Sequence, residues 1–279
     1  MKQLFDETSF KCSKIVTRKY STSFSLAVYM LSPKIREAIY SIYAFVRFAD
    51  EIVDSFHTHE KEVLLNEFEA DYYKAHKNNV SLNPILNAFQ HTVKKYNITD
   101  DLIQSFLNSM KADLNKETYN TVEEYNEYIY GSADVVGLMC LKVFVNGDTE
   151  RYDELKFSAM KLGSAFQKVN FLRDLKDDYE LLNRSYFPGV NLKELKAEEK
   201  AEIISDIEAD FNEALIGIKK LPLEAKFGVY TAYVYYKRLL NKLSKTPSTE
   251  ILNTRIRVSN SLKISLLAKS FVVYKLNLL

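Results

Sequence analysis

Four polar side chains in the segment AFQKVNFLRDLKDDYE, residues 165–180, fall at steps of three, four and four: Gln167, Asn170, Asp174 and Asp178. On an α-helix such steps place them on one face. Asn170, Asp174 and Asp178 then form a row of oxygen donors about 6 Å apart. Hard oxygen donors suit Mg²⁺, which takes few protein groups and keeps waters or phosphate oxygens. One such row is equally the wet edge of an amphipathic helix. A second row changes the reading. RFADEIVDSF, residues 47–56, puts Arg47, Asp50 and Asp54 on a shared face, with Glu51 beside it. Each acidic row has an arginine next to it, Arg47 in one and Arg173 in the other. Two such helices facing each other could hold Mg²⁺ between them and clamp a diphosphate.

The rest of the chain must supply helices to position those rows. It has 279 residues, 47% hydrophobic and 27% charged, with only 7 Gly and 5 Pro. Few turn formers and many helix formers predict an all-α protein. A formal net charge of +1 offers no global attraction for nucleic acid. Ser32 and Pro33 read as the N-cap and first residue of a helix through the first acidic row. Further helices are expected over 59–77, 81–97, 99–116, 121–147, 149–183, 197–221 and 224–245. Pro188 and Gly189 mark a loop after the second acidic row. No linker or repeat divides the chain, so residues 1–279 are expected to form one domain. Small residues at Gly131–Gly137 and Gly163–Ala165 need either close helix packing or room for a ligand.

Two cysteines, Cys12 and Cys140, follow no metal or disulfide spacing, and a reducing cytoplasm is the simplest location. The N-terminus has no apolar signal region, and no uncharged apolar run is long enough to span a bilayer. The C-terminal run SLKISLLAKSFVVYKLNLL is broken by Lys263, Lys269 and Lys275. It reads as a packing helix, and the same pattern fits a surface helix touching a membrane.

Five segments together resemble the squalene/phytoene synthase family of head-to-head prenyl diphosphate synthases. They are YSTSFS (20–25), RFADEIVD (47–54), YGSADVVGLM (130–139), FQKVNFLRDLKDDYELLNRSYFP (166–188) and RIRVSNSLK (255–263). The resemblance implies an all-α isoprenoid synthase fold, a helical bundle around a central apolar cavity. It implies Mg²⁺, with Mn²⁺ as a substitute, held by Asp50, Asp54, Asn170, Asp174 and Asp178, and no nicotinamide cofactor. Arg47, Arg173 and Arg184 would hold diphosphate oxygens. Ser21, Ser23 and Phe24 would close over them as a flap, and Tyr130 and Gln167 would line the reaction centre. Tyr20 and Asp134 depart from the family pattern, standing where many members have His and Gly. The implied activity is phytoene synthesis from two geranylgeranyl diphosphates through a cyclopropyl diphosphate, the first committed step of carotenoid biosynthesis. Two alternatives stand beside it: dehydrosqualene or squalene synthesis from two farnesyl diphosphates, and a non-catalytic helical scaffold. A lipid product suggests peripheral membrane contact, and the oligomeric state is left open.

Overall fold

The computed structural model describes residues 1–116, 118–182, 186–190 and 195–276, with side chains for all of these except 177–182 and 260. Every regular element among them is helical. The N-terminal arm forms α1 (Lys2–Tyr20) and α2 (Thr22–Tyr29), which meet at Ser21. Next come α3 (Pro33–Ser55), α4 (Lys61–Asn78), α5 (Pro84–Tyr96) and α6 (Asp100–Ala112). A broken pair, α7 (Val122–Ile129) and α8 (Val135–Phe144), leads into the long α9 (Thr149–Leu182). α10 (Ala197–Lys220), α11 (Leu223–Lys245), the single turn α12 (Ser248–Ile251) and α13 (Asn260–Lys275) complete the chain.

The helices that carry the acidic rows are anchored by buried apolar stripes. Pro33 opens α3, where its missing N–H is no loss. Ile35, Ile39, Ile42, Phe45, Ala49, Ile52 and Val53 then bury one stripe of it. Phe45 stacks on Phe89 of α5 with ring centroids 3.9 Å apart. α9 lies along α10 and α8, burying Ala165, Val169, Leu172 and Leu175 between them. These stripes set the rotation of α3 and α9, and so decide where Asp50 and Asp174 face.

The α7–α8 pair corrects the single helix expected over 121–147. Thr121 does begin it, closing a capping box with Glu124. Residues Tyr130–Asp134 then form a π-helical turn that separates the two α-helices. The turn is closely packed. A Cβ on Gly131 would lie 1.9 Å from Ser109 Oγ, and one on Gly163 would lie 2.8 Å from the Ala133 carbonyl. Both glycine patches are therefore close-packing contacts.

α1 was not expected, because its buried face is polar. Ser9, Ser13 and Thr17 point inward, each hydroxyl donating to the carbonyl four residues earlier. Asn87 of α5 reaches across to donate to Ser9 Oγ at 3.1 Å. Small hydroxylated residues let α1 lie closely on α3 and α5 without showing an apolar period in the sequence.

Candidate active site

The first acidic row lies at the end of α3, and its cation is already engaged. The Arg47 guanidinium donates to Asp50 through one terminal nitrogen and to Glu51 through the other. Glu51, read from sequence as lying off the shared face, is thus a direct partner of Arg47. The Tyr20 ring sits under this guanidinium, 4.5 Å from centroid to carbon. Arg47 Nε is buried with no hydrogen-bond partner among the described residues, which leaves one donor for an anion. Burial and the neighbouring Asp54 charge push the Asp50 carboxyl up to about 7, against the pull of Arg47.

The second row lies in the last third of α9. Arg173 Nε donates to Asp174 Oδ1 at 2.8 Å, and a terminal nitrogen of Arg173 donates to Oδ2. A second arginine meets the same carboxylate from the other side: Arg255 Nε lies 2.8 Å from Oδ1 and its Nη2 lies 3.3 Å from Oδ2. One turn earlier, Asn170 Oδ1 accepts from the Tyr236 hydroxyl at 3.3 Å.

Tyrosines join the two rows. Tyr43 on α3 feels the charges of Arg47 and Asp50, lies within electrostatic reach of Tyr236, and shares a hydrogen bond with Ser21. Burial pushes its hydroxyl up to about 12. Tyr236 in turn feels Arg173 and Asp174. Beside this line opens a cleft of about 900 Å³. Its walls include Ser21, Ser23, Arg173, Arg238, Arg255 and Arg257, a surface rich in guanidinium and hydroxyl groups. Such a lining suits an anion with several oxygens.

Of the expected flap, Ser21 caps α2 by accepting from Phe24 N at 3.2 Å. Phe24 turns inward and stacks on Tyr43, with centroids 4.8 Å apart. Ser23 lines the cleft. Gln167 is half-buried, and Tyr130 opens the π turn and is 36% exposed. Arg184 lies outside the described residues, and so does the side chain of Asp178, whose backbone belongs to α9. Arg255, Tyr43 and Tyr236 were missed as site residues. Arg255 belongs to a segment that had been singled out, but only three-dimensional closure of α12 and its following loop brings it to Asp174. The two tyrosines sit in apolar helical runs that read as core.

Both departures from the family pattern have a physical place. Tyr20 supports Arg47, as above. Asp134 is buried and accepts from Ser164 Oγ at 2.7 Å. It adjoins an ionic network in which Lys168 Nζ reaches Asp210 at 2.7 Å and Asp206 at 2.5 Å, and Lys161 reaches Asp210 at 2.8 Å.

Among the described residues, no three His, Cys, Asp or Glu side chains gather closely enough to enclose a metal ion. The donor types still fit one. Asp50, Asp54, Asn170 and Asp174 offer only hard oxygens, and the burial and Asp54 charge that raise the Asp50 carboxyl are what a bound cation would offset.

These features agree with what similarity shows. The family model for squalene/phytoene synthase matches residues 17–261, and the chain belongs to that family. Its members are prenyltransferases, and so is this protein. It is 27% identical over 208 residues to a 4,4'-diapophytoene synthase of Staphylococcus haemolyticus, covering 73% of this chain and 69% of that one. It is 25% identical to a 15-cis-phytoene synthase of a Paracoccus species, covering 88% and 86%. Against phytoene synthase 1 of Arabidopsis thaliana it is 25% identical over 86% of this chain but spans only 60% of the plant protein. A solved dehydrosqualene synthase shares the fold with a TM-score of 0.85 at 24% identity, covering 97% of this chain and 98% of that one. A squalene synthase from Alicyclobacillus acidocaldarius does so at 0.75 and 22% identity, covering 85% and 94%. The fold is the all-α isoprenoid synthase fold expected from the sequence.

Proposed function

We propose that this protein is a phytoene synthase that condenses two geranylgeranyl diphosphates head to head, with Mg²⁺ as its metal. The observation that carries the diphosphate chemistry is Asp174, bracketed by Arg173 and Arg255 on the wall of a basic cleft. Similarity to the Paracoccus phytoene synthase over 86% of that protein's length supports the longer substrate. The similarity to the diapophytoene synthase and the solved dehydrosqualene synthase favours a second reading, the same condensation with two farnesyl diphosphates.

In this reading Asp50, Asp54, Asn170, Asp174 and Asp178 hold the divalent cations, which when bound supply positive charge to the departing diphosphate. Arg47, Arg173, Arg255 and Arg184, with the Arg47 Nε–H, would face the phosphate oxygens. Departure of diphosphate leaves an allylic cation. A double bond of the second chain attacks it, forming a cyclopropyl diphosphate with loss of a proton. A second ionisation, rearrangement and proton loss give a conjugated triene, the protons passing to released diphosphate or to Tyr130. The stacked rings of Phe24 on Tyr43 and of Phe166 on Tyr236 would supply apolar surface to keep water from the cations.

The test incubates the full chain with geranylgeranyl diphosphate and Mg²⁺, without reductant, and separates the organic extract by chromatography. Parallel reactions contain farnesyl diphosphate, a chelator, or the Asp174→Ala variant. A C40 conjugated triene lost with chelator and with the variant is the expected result. A C30 product from farnesyl diphosphate alone would move the protein to the second reading. No product from either substrate would leave the scaffold reading.

A further inference from the structure

α9 meets α10 along an antiparallel ladder of polar pairs. Glu154 accepts from Lys220 Nζ at 2.9 Å, Glu213 accepts from Ser158 Oγ at 3.2 Å, and Asp210 Oδ1 accepts from Lys161 Nζ at 2.8 Å. The rung nearest the acidic row is Lys168, whose Nζ donates to Asp210 Oδ2 at 2.7 Å and to Asp206 at 2.5 Å. As residue numbers rise along α9 they fall along α10, so all four rungs fit one axial register. Lys168 and Asp210 are buried, their side chains 7% and 4% exposed. A buried pair of this kind costs desolvation and seldom stabilises more than apolar residues of similar size. Its distinctive property is register. Apolar side chains tolerate a slip along the seam, whereas an ammonium set between two carboxylates does not. The backbones also run close, since a Cβ on Gly217 would lie 2.4 Å from the Ser158 Cβ. Another side of α9 is pinned to the π turn, where Ser164 Oγ donates to Asp134 at 2.7 Å.

Asn170 follows Lys168 by two residues, which is about 200° around the helix. One side of α9 is therefore held to α10 while the other presents Asn170 to Tyr236 of α11. Mg²⁺ accepts its oxygens only at about 2.1 Å in near-octahedral order. A slip of a single residue along a helix is about 1.5 Å, enough to take a ligand out of reach. We infer that Lys168, paired with Asp210, is a positioning residue that locks the axial register of α9, so that Asn170 and Asp174 meet the cations and diphosphate shared with α3. Lys168 itself touches neither metal nor diphosphate. The inference rests on the metal-dependent reaction proposed above.

The experiment is equilibrium dialysis of radiolabelled inorganic diphosphate against the full chain in Mg²⁺, with chelator as the blank, alongside melting temperatures. Three variants are compared with the wild type: Lys168→Met, the double variant Lys168→Met/Asp210→Leu, and Lys220→Ala. Lys168→Met leaves Asp210 to Lys161 and is expected to melt lower. The double variant replaces the buried pair with apolar side chains and is expected to melt close to the wild type. Both are expected to bind diphosphate about tenfold more weakly, the low end of losses for groups that act behind a metal's own ligands. Lys220→Ala removes the exposed rung at the far end of the seam and should bind as the wild type does. Recovery of binding along with melting temperature in the double variant would overturn the inference, because the pair would then serve stability alone. Equal weakening by Lys220→Ala would also overturn it. A wild type that takes up no diphosphate with Mg²⁺ would sink the proposed reaction, and this inference with it.

Discussion

Arg255 and Asp174 lie 81 positions apart in sequence, yet the guanidinium of one meets the carboxylate of the other at 2.8 Å and 3.3 Å. The contact ties the loop after α12 to the middle of the second acidic row. Both arginines also line the basic cleft, where their charge faces any anion that enters it. Replacing Arg255 with Ala is expected to lower kcat/KM on the order of a hundredfold, the loss of one bidentate, charge-assisted contact. Arg255→Lys should recover only part of this, because an ammonium cannot present two parallel donors. Steady-state kinetics of both variants, with melting curves to show that the fold survives, check the prediction. Unchanged kinetics in Arg255→Ala would reduce the contact to a structural clasp.

Tyr20 offers a milder test. Its ring lies flat enough under Arg47 for a cation–π contact, worth about 0.5–1 kcal/mol at a partly exposed site. Tyr20→Ala frees the guanidinium without removing its charge. The expected effect is a rise in KM of about two- to fivefold with kcat little changed. Tyr20→Phe keeps the ring and should behave as the wild type, which separates the stacking from any role of the hydroxyl.

Those two contacts also mark where sequence reasoning ran out. α3 and α9 were readable because apolar residues recur at helical spacing and the acidic rows recur at the same spacing on another face. The end of α9 was visible in Pro188 and Gly189. α1 was not visible, because its inward side chains are Ser9, Ser13 and Thr17, a pattern that reads as exposed until a neighbouring helix is placed against it. The break between α7 and α8 was hidden for a related reason. Gly131 flags the turn in the sequence, but its close approach to Ser109, and that of Gly163 to the Ala133 carbonyl, are tertiary facts. Arg47, Asp50, Arg173 and Asp174 were named from their spacing. Their pairing with each other, and with Glu51, Tyr20 and Arg255, depends on distances that spacing does not carry.

Gly163 tests the close packing directly. A methyl group there would come within 2.8 Å of the Ala133 carbonyl and 3.0 Å of the Asp134 Cα, both backbone atoms that cannot swing aside. Gly163→Ala normally gains helix propensity, about 1 kcal/mol in an exposed helix. Here overpacking is expected to win, with a net loss of about 1–3 kcal/mol. Chemical denaturation of the variant measures it, and a stabilised variant would show that the contact between the π turn and α9 is looser than described.

Asp134 makes a prediction about pH. Burial raises its carboxyl to about 7 from an ordinary value of 3.8; the Ser164 hydrogen bond opposes this and Asp210 adds to it, while Lys161 and Lys168 pull the other way. In the unfolded chain the same group gives up its proton near pH 4. Between those two values the folded state binds more protons than the unfolded one, so this residue makes stability fall as pH rises. Its contribution is greatest at and below about pH 4, declines by up to about 1.4 kcal/mol per pH unit, and levels off above about 7. Asp134→Asn keeps an acceptor for the Ser164 hydroxyl and removes the titration. The variant should therefore lose less stability than the wild type between pH 5 and pH 8, and should melt higher at pH 8 by several degrees. Melting temperatures of the pair across that range provide the measurement. Parallel curves would mean that Lys161 and Lys168 already keep Asp134 ionised in the folded protein, and the buried cluster would then be a closed ionic network with no proton to lose.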